Sequence, residues 1–172
     1  MSKNLKDGLP LEASGLEWLR YHKGCFIVMM ERGTAHGRPD LMGVTKDGYC
    51  IEIEVKRTVA DFKADQEKRH RVDEWTNDGK VRQLYYLVHP SILEKVTPLL
   101  PAGCGLMTVN PSRRSLARMP ELIIKVRAAV RKHSRQLTDA EKWELCRDMS
   151  GTLVTAICCH PSRRRWHTNK KP

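Results

Sequence analysis

Asp40-Leu41-Met42-Gly43-Val44-Thr45, then Lys46-Asp47-Gly48, then Tyr49-Cys50-Ile51-Glu52-Ile53-Glu54-Val55-Lys56-Arg57 reads as two extended segments joined by turn chemistry. Gly48 can take the left-handed conformation that closes a three-residue hairpin loop. Side chains alternate across a strand, so Ile51, Ile53 and Val55 share one sheet face, and Glu52, Glu54 and Lys56 share the other. A three-residue loop pairs Thr45 with Tyr49, and the same register sets Asp40 opposite Glu54, their side chains starting about 5 Å apart. A two-residue turn would pair Asp40 with Val55 instead. Two carboxylates that close repel unless a cation sits between them, and such oxygen donors favour a hard ion such as Mg²⁺.

Working outward, Leu11, Leu16 and Leu19 recur near helical spacing among Glu12, Glu17 and Arg20, with Gly24 as a terminator. Cys25 to Met30 is a short apolar run suited to a buried strand, and Gly33 to Gly37 is loop. Beyond the hairpin, Val59 to about Trp75 is helix-compatible, and Asn77-Asp78-Gly79 carries turn chemistry. Gln83 to Val88 predicts a strand, Ile92 to Val96 a short helical piece, and Gly105 to Val109 a last strand after Pro98 and Pro101. The order αβββαβ(α)β implies an α/β fold: a mixed central sheet flanked by helices.

Pro111-Ser112-Arg113-Arg114 reads as a break, and from Pro120 the pattern reads as helical, with Leu122, Ile123, Val126 and Val130 on one stripe. Thr138-Asp139-Ala140-Glu141 has capping-box spacing for a second helix to about Met149. The expectation is a core over residues 1–118 and a basic helical extension over 119–172, its tail from Pro161 mobile.

The 31 lysines and arginines outnumber the 20 acids, for a net charge of +11 over 172 residues. Residues 101–172 hold 15 basic and 5 acidic groups, so nearly all of the excess lies there. That asymmetry points to a polyanion, most often nucleic acid, against the plainer reading of a solubilising surface. No apolar run is long enough to span a bilayer, which argues against a membrane partner. The polar opening residues lack a secretory pattern, so a cytoplasmic chain is expected, its 6 cysteines reduced.

Arg38-Pro39-Asp40 followed by Glu52-x-Glu54-x-Lys56 at a strand end, with a helix after it, resembles the PD-(D/E)XK signature of the restriction-endonuclease-like nuclease superfamily. Three further segments are similar to the branch of small bacterial and phage proteins that includes the MmcB-like DNA-repair family. They are Glu54 through Asp65, with its Asp61-Phe62-x-x-Asp65 helix, then Tyr85-Tyr86-Leu87-Val88, and then Pro101-Ala102-Gly103-Cys104-Gly105-Leu106-Met107. The likeness covers roughly residues 10–110. It departs from the pattern at Gln66-Glu67-Lys68-Arg69-His70, where relatives place Lys closer to the second Asp and an aromatic after it.

The resemblance implies a restriction-endonuclease-like core and a Mg²⁺-dependent DNA nuclease of repair, recombination or phage DNA metabolism, with Mn²⁺ as a substitute ion. Asp40 and Glu54 would bind the metal, and Lys56 would orient or deprotonate the attacking water and stabilise charge developing on phosphorus. Glu52 has a supporting role. A first-helix glutamate often completes such sites; Glu17 is preferred over Glu12. Gln66 is a candidate phosphate or water contact. Arg38, Arg113, Arg114, Arg163, Arg164 and Arg165 are the candidate DNA contacts, and duplex cutting with one site per chain often needs a homodimer. The rivals are a non-catalytic nucleic-acid-binding protein that keeps the fold, and a basic protein whose partner is another protein. Cys146, Cys158, Cys159, His160 and His167 fit no standard zinc spacing, and packing explains them better. Cys25, Cys50 and Cys104 read as small core residues, and His36 and His70 as exposed.

Overall fold

A computed structural model describes residues 10–30, 39–70, 79–115 and 118–158. In chain order its elements are α1 (Leu11–Glu17), prolonged by a π-helical turn Trp18–His22, then β1 (Cys25–Met30), β2 (Leu41–Thr45), β3 (Cys50–Lys56) and α2 (Val59–His70). There follow β4 (Val81–Val88), α3 (Leu93–Val96) between 3₁₀ turns at Pro90–Ile92 and Thr97–Leu99, β5 (Gly105–Arg114), β6 (Pro120–Val126) and α4 (Asp139–Cys158). The six strands form one sheet in sequential order. The first three make an antiparallel meander, β3, β4 and β5 run parallel, and β6 returns antiparallel along β5. The expected mixed sheet flanked by helices is therefore present.

The β2–β3 hairpin has the three-residue register. Leu41 faces Ile53, Met42 faces Glu52, and Val44 faces Cys50. The Thr45 N–H donates to the Tyr49 carbonyl at 2.9 Å, and Gly48 stands at φ +82°, the conformation the short loop requires. A one-residue slip would have turned every β3 side chain to the wrong face.

Both faces of the sheet are covered. On one, Leu11, Trp18 and Leu19 pack on Ile51, Ile53, Tyr85, Leu87 and Met107, with Trp18 edge-on to Tyr85 at 5.3 Å. On the other, Phe62 of α2 packs on Tyr86 at 4.7 Å among Leu84, Val88, Leu106, Ile92 and Val96. Burying a side chain such as Phe62 contributes about 1.5–3 kcal/mol. Because α2 lies over the acidic face of β3, all seven β3 residues are buried, Glu52, Glu54 and Lys56 included.

Two expectations are corrected. Residues 120–126 form a strand and not a helix. Ile124, Ile123 and Leu122 pair with Met107, Thr108 and Val109, and Leu122 and Ile124 pack against the core under α1. The β-branched residues Ile123, Ile124 and Val126 suit a pleated surface, and the open edge of β5 supplies a partner that periodicity cannot see. Val126 and Val130, half of the supposed helical stripe, are exposed. Nor does Pro111-Ser112-Arg113-Arg114 break the chain: β5 runs on to Arg114, and Pro111 is accommodated at an irregularity between Asn110 and Arg114. The first compact unit accordingly extends to Leu137, and Thr138 begins the second.

In that second unit the capping box forms as expected. The Glu141 carboxylate accepts from the Thr138 N–H at 2.8 Å, and the Thr138 hydroxyl accepts from the Glu141 N–H at 3.2 Å. α4 continues past Met149 to Cys158. The tail from Pro161 lies outside the described residues. Among the described residues no helix is long and apolar enough to cross a membrane.

Candidate active site

β3 and the turn of α2 that follows it build a charged cluster at the carboxyl end of the parallel strands. Asp40 lies just before β2, after the buried Pro39, and its Oδ2 accepts the Val55 N–H at 2.8 Å. The carboxylate thus takes a backbone donor where the β2–β3 ladder ends. Lys56 points into the layer beneath α2. Its Nζ is 2.9 Å from Glu54 Oε2, 3.3 Å from Asp65 Oδ1 and 3.8 Å from Asp40 Oδ2. The Tyr86 hydroxyl donates to the other oxygen of Asp65 at 3.0 Å, and Tyr86 is the β4 neighbour of Glu54 in register.

Burial alone would push the Lys56 ammonium toward the neutral form, but the attraction of Glu54 foremost, then Asp65 and Asp40, outweighs it and raises its pKa above 10.5. Lys56 is a cation at neutral pH, the positive charge that lets Asp40 and Glu54 approach. Its side chain is 7% exposed, whereas that of Asp40 is 37% exposed. Asp40 opens onto a cavity of about 200 Å³ lined also by Glu12, Val55, Arg57 and Asp61.

Of the residues expected to act, Asp40, Glu54 and Lys56 are brought together. Glu17 is not with them: its carboxylate accepts from Ser115 at 2.6 Å. Glu12 takes the place beside Asp40 and forms a two-pronged ion pair with Arg57 at 2.7 and 2.8 Å. The two glutamates stand five positions apart, which puts them on different sides of α1. Gln66 donates to the Leu99 carbonyl at 2.7 Å, so it fastens α2 to the 3₁₀ turn and does not face the cluster. Asp65, adjacent to it, is the α2 residue that does. The signal for Asp65 was Phe62 three residues earlier, which marks the buried side of the helix.

Arg113 and Arg114 are exposed on the part of β5 that continues past the level of Lys56, at the same end of the sheet; Arg113 Nε is 3.0 Å from Glu121. Arg38, Arg163, Arg164 and Arg165 lie outside the described residues, as do His36, Cys159, His160 and His167. Among the described residues, no group of three or more histidine, cysteine, aspartate or glutamate side chains is arranged to hold a metal ion. Cys25, Cys50, Cys104 and Cys146 are free thiols, the first three buried and Cys146 partly so.

Fold and cluster together define a mixed α/β protein with a buried lysine held by acids from β3 and α2, next to an open aspartate. Among solved structures, the chain is similar to a protein of unknown function from Silicibacter pomeroyi, with a TM-score of 0.56 and 18% identity over 99% of this chain and 100% of that one. At that identity the likeness concerns the fold alone. No protein-family model matches the chain, and no curated protein does either.

Proposed function

We propose that this protein is a Mg²⁺-dependent nuclease of the restriction-endonuclease-like class that hydrolyses phosphodiester bonds in DNA. The observation that carries the reading is the meeting of the Asp40 and Glu54 carboxylates on the Lys56 ammonium, at 3.8 and 2.9 Å, at the end of β3. The element order through β4, a meander followed by a helical crossover to a parallel strand, supports the fold assignment.

Carboxylate donors suit a hard divalent ion, and Asp40 borders a cavity with room for water. Once bound, such an ion polarises a phosphate oxygen and acidifies water. The protein's own part is positional and electrostatic. Asp40 and Glu54 would hold the ion, while Lys56 would contribute its positive charge from beneath the two carboxylates. Charge stabilisation is the role we assign Lys56, since its ammonium lies beside both carboxylates that would hold the ion. Asp65, itself held by Tyr86, aims the ammonium. Exposed Arg113 and Arg114 lie at the same end of the sheet, suited to contact the phosphate backbone.

The test is cleavage of labelled duplex, nicked, branched and single-stranded DNA with Mg²⁺ or Mn²⁺. Asp40→Ala and Lys56→Ala should each reduce cleavage about 100-fold or more. Cleavage that survives both substitutions rejects the proposal, and DNA bound without turnover by the wild type assigns the chain to the non-catalytic alternative.

A further inference from the structure

A second cleft, of about 480 Å³, lies at the opposite end of β3 and β4 from Lys56. The length of β3 separates the two, about 20 Å at the usual rise per residue. Its walls include Lys23, Tyr49, Arg82, Gln83 and Gln136, and Asp47 in the hairpin turn is the one acid among the described lining residues. The Arg82 guanidinium lies 3.8 Å from the centre of the Tyr49 ring. Stacking uses the face of a guanidinium and leaves its in-plane N–H fork available for an oxyanion. Lys23 Nζ donates to Gln83 Oε1 at 3.1 Å and sits 5.2 Å from the Trp18 ring centre, a neutral setting. Among the described residues, no carboxylate lies within ion-pair distance of Lys23 or Arg82.

The chain after β6 strengthens the positive field. From Ala129 to Leu137 it crosses this end of the sheet, its N–H groups donating to the carbonyls of Gly103, Arg82, Gly79 and Gly48 at 2.7–3.0 Å. Between Lys125 and Leu137 there are five basic side chains and no acid. Burial lowers the Lys23 pKa; the opposing pull of Cys25 does not offset it, and Arg127 adds a smaller push in the same direction.

We propose that this cleft binds a nucleoside phosphate, either free or as one unit of a nucleic-acid strand. Lys23 and the Arg82 fork would hold the phosphate, the Tyr49–Arg82 stack would offer a planar surface to the base, and the Gln136 amide would supply a neutral hydrogen bond, while Gln83, whose amide nitrogen is held by the Ala128 carbonyl at 3.2 Å, positions Lys23. The site is independent of the carboxylate cluster.

The experiment is calorimetric titration of the full chain with deoxyadenosine monophosphate and with a ten-nucleotide oligo(dT), in EDTA so that divalent ions play no part. Saturable binding is expected, weakened about tenfold or more by Lys23→Gln or Arg82→Gln. Lys23→Arg should largely retain it, and Asp40→Asn should leave it unchanged. Tighter binding of the oligonucleotide assigns the cleft to a strand, and equal binding assigns it to a free nucleotide. As a check in the wild type alone, the nucleotide should slow acylation of Lys23, followed by mass spectrometry. Absence of saturable binding, undiminished binding by both folded variants, Lys23→Gln and Arg82→Gln, or failure to protect Lys23 would each overturn the proposal. Loss of DNA cleavage in Asp40→Ala bears on the other site only.

Discussion

Lys56 on β3 and Asp65 on α2 form a 3.3 Å ion pair between a strand and the helix that follows it, and the Tyr86 hydroxyl secures the far oxygen of the aspartate. The pair fixes where the ammonium points. Asp65→Asn keeps the shape and the Tyr86 contact but removes one of the three charges around Lys56. It should lower stability by about 1–3 kcal/mol, read by thermal unfolding. If the protein cleaves DNA as proposed, kcat should fall about tenfold or more with little change in KM, because the lost interaction orients a group for the transition state. An unchanged kcat would separate Asp65 from the chemistry.

Metal binding can be tested without turnover. An ion that binds only the folded chain raises its stability by mass action, about 2.7 kcal/mol at a hundred times its Kd. Mn²⁺ and Mg²⁺ should therefore raise Tm in a concentration-dependent manner, and Asp40→Asn should abolish the rise. Glu17→Gln should leave it intact, since that side chain is engaged with Ser115. A Tm indifferent to both ions in the wild type would remove the metal from the mechanism.

How much of this was legible in the sequence depended on whether local or distant partners decide the outcome. The Asp40–Glu54–Lys56 cluster was legible, because strand alternation and a glycine at a fixed offset favour one register from local residues alone, and the pairing of Leu41 with Ile53 selects it over the two-residue turn. The choice of Glu12 over Glu17 depends on which side of α1 faces the sheet, and Leu11, Trp18 and Leu19 settle that only on packing. Asp65 and Gln66 flank Phe62 on the same side of α2, so a small rotation of the helix decides which one reaches Lys56. For β6 the residues Leu122, Ile123 and Val126 suit either period. The unpaired edge of β5 decides, and although β5 is next in the chain, the irregularity between Asn110 and Arg114 hides the hairpin register from a local pattern.

Gly48 offers a way to disturb the hairpin that holds Asp40. At φ +82° a side chain costs about 1–2 kcal/mol. Its N–H donates to the Thr45 carbonyl and its own carbonyl accepts from Leu137, both at 2.8 Å, so the turn has little freedom to relax. Gly48→Ala should lower Tm by several degrees, and Gly48→Asn, a better left-handed residue, by less. Equal stability in all three proteins would contradict the turn geometry.

Cys25 supplies a prediction in pH. Burial pushes its thiol up from 9.0 to about 11, against the smaller opposing pull of Lys23 and Arg20. In the unfolded chain the thiol ionises first, so between those values the folded state holds more protons and stability must fall as pH rises. The contribution is complete below pH 9 and is lost through about pH 11. Wild type should thus lose stability over that interval more steeply than Cys25→Ala, measured by denaturant unfolding at each pH. The same neutral thiol reacts slowly with alkylating agents, since the thiolate is the nucleophile. At pH 8, iodoacetamide should label the more accessible Cys146 well before Cys25, with peptide mass spectrometry as the readout, and preferential labelling of Cys25 would contradict its buried position on β1.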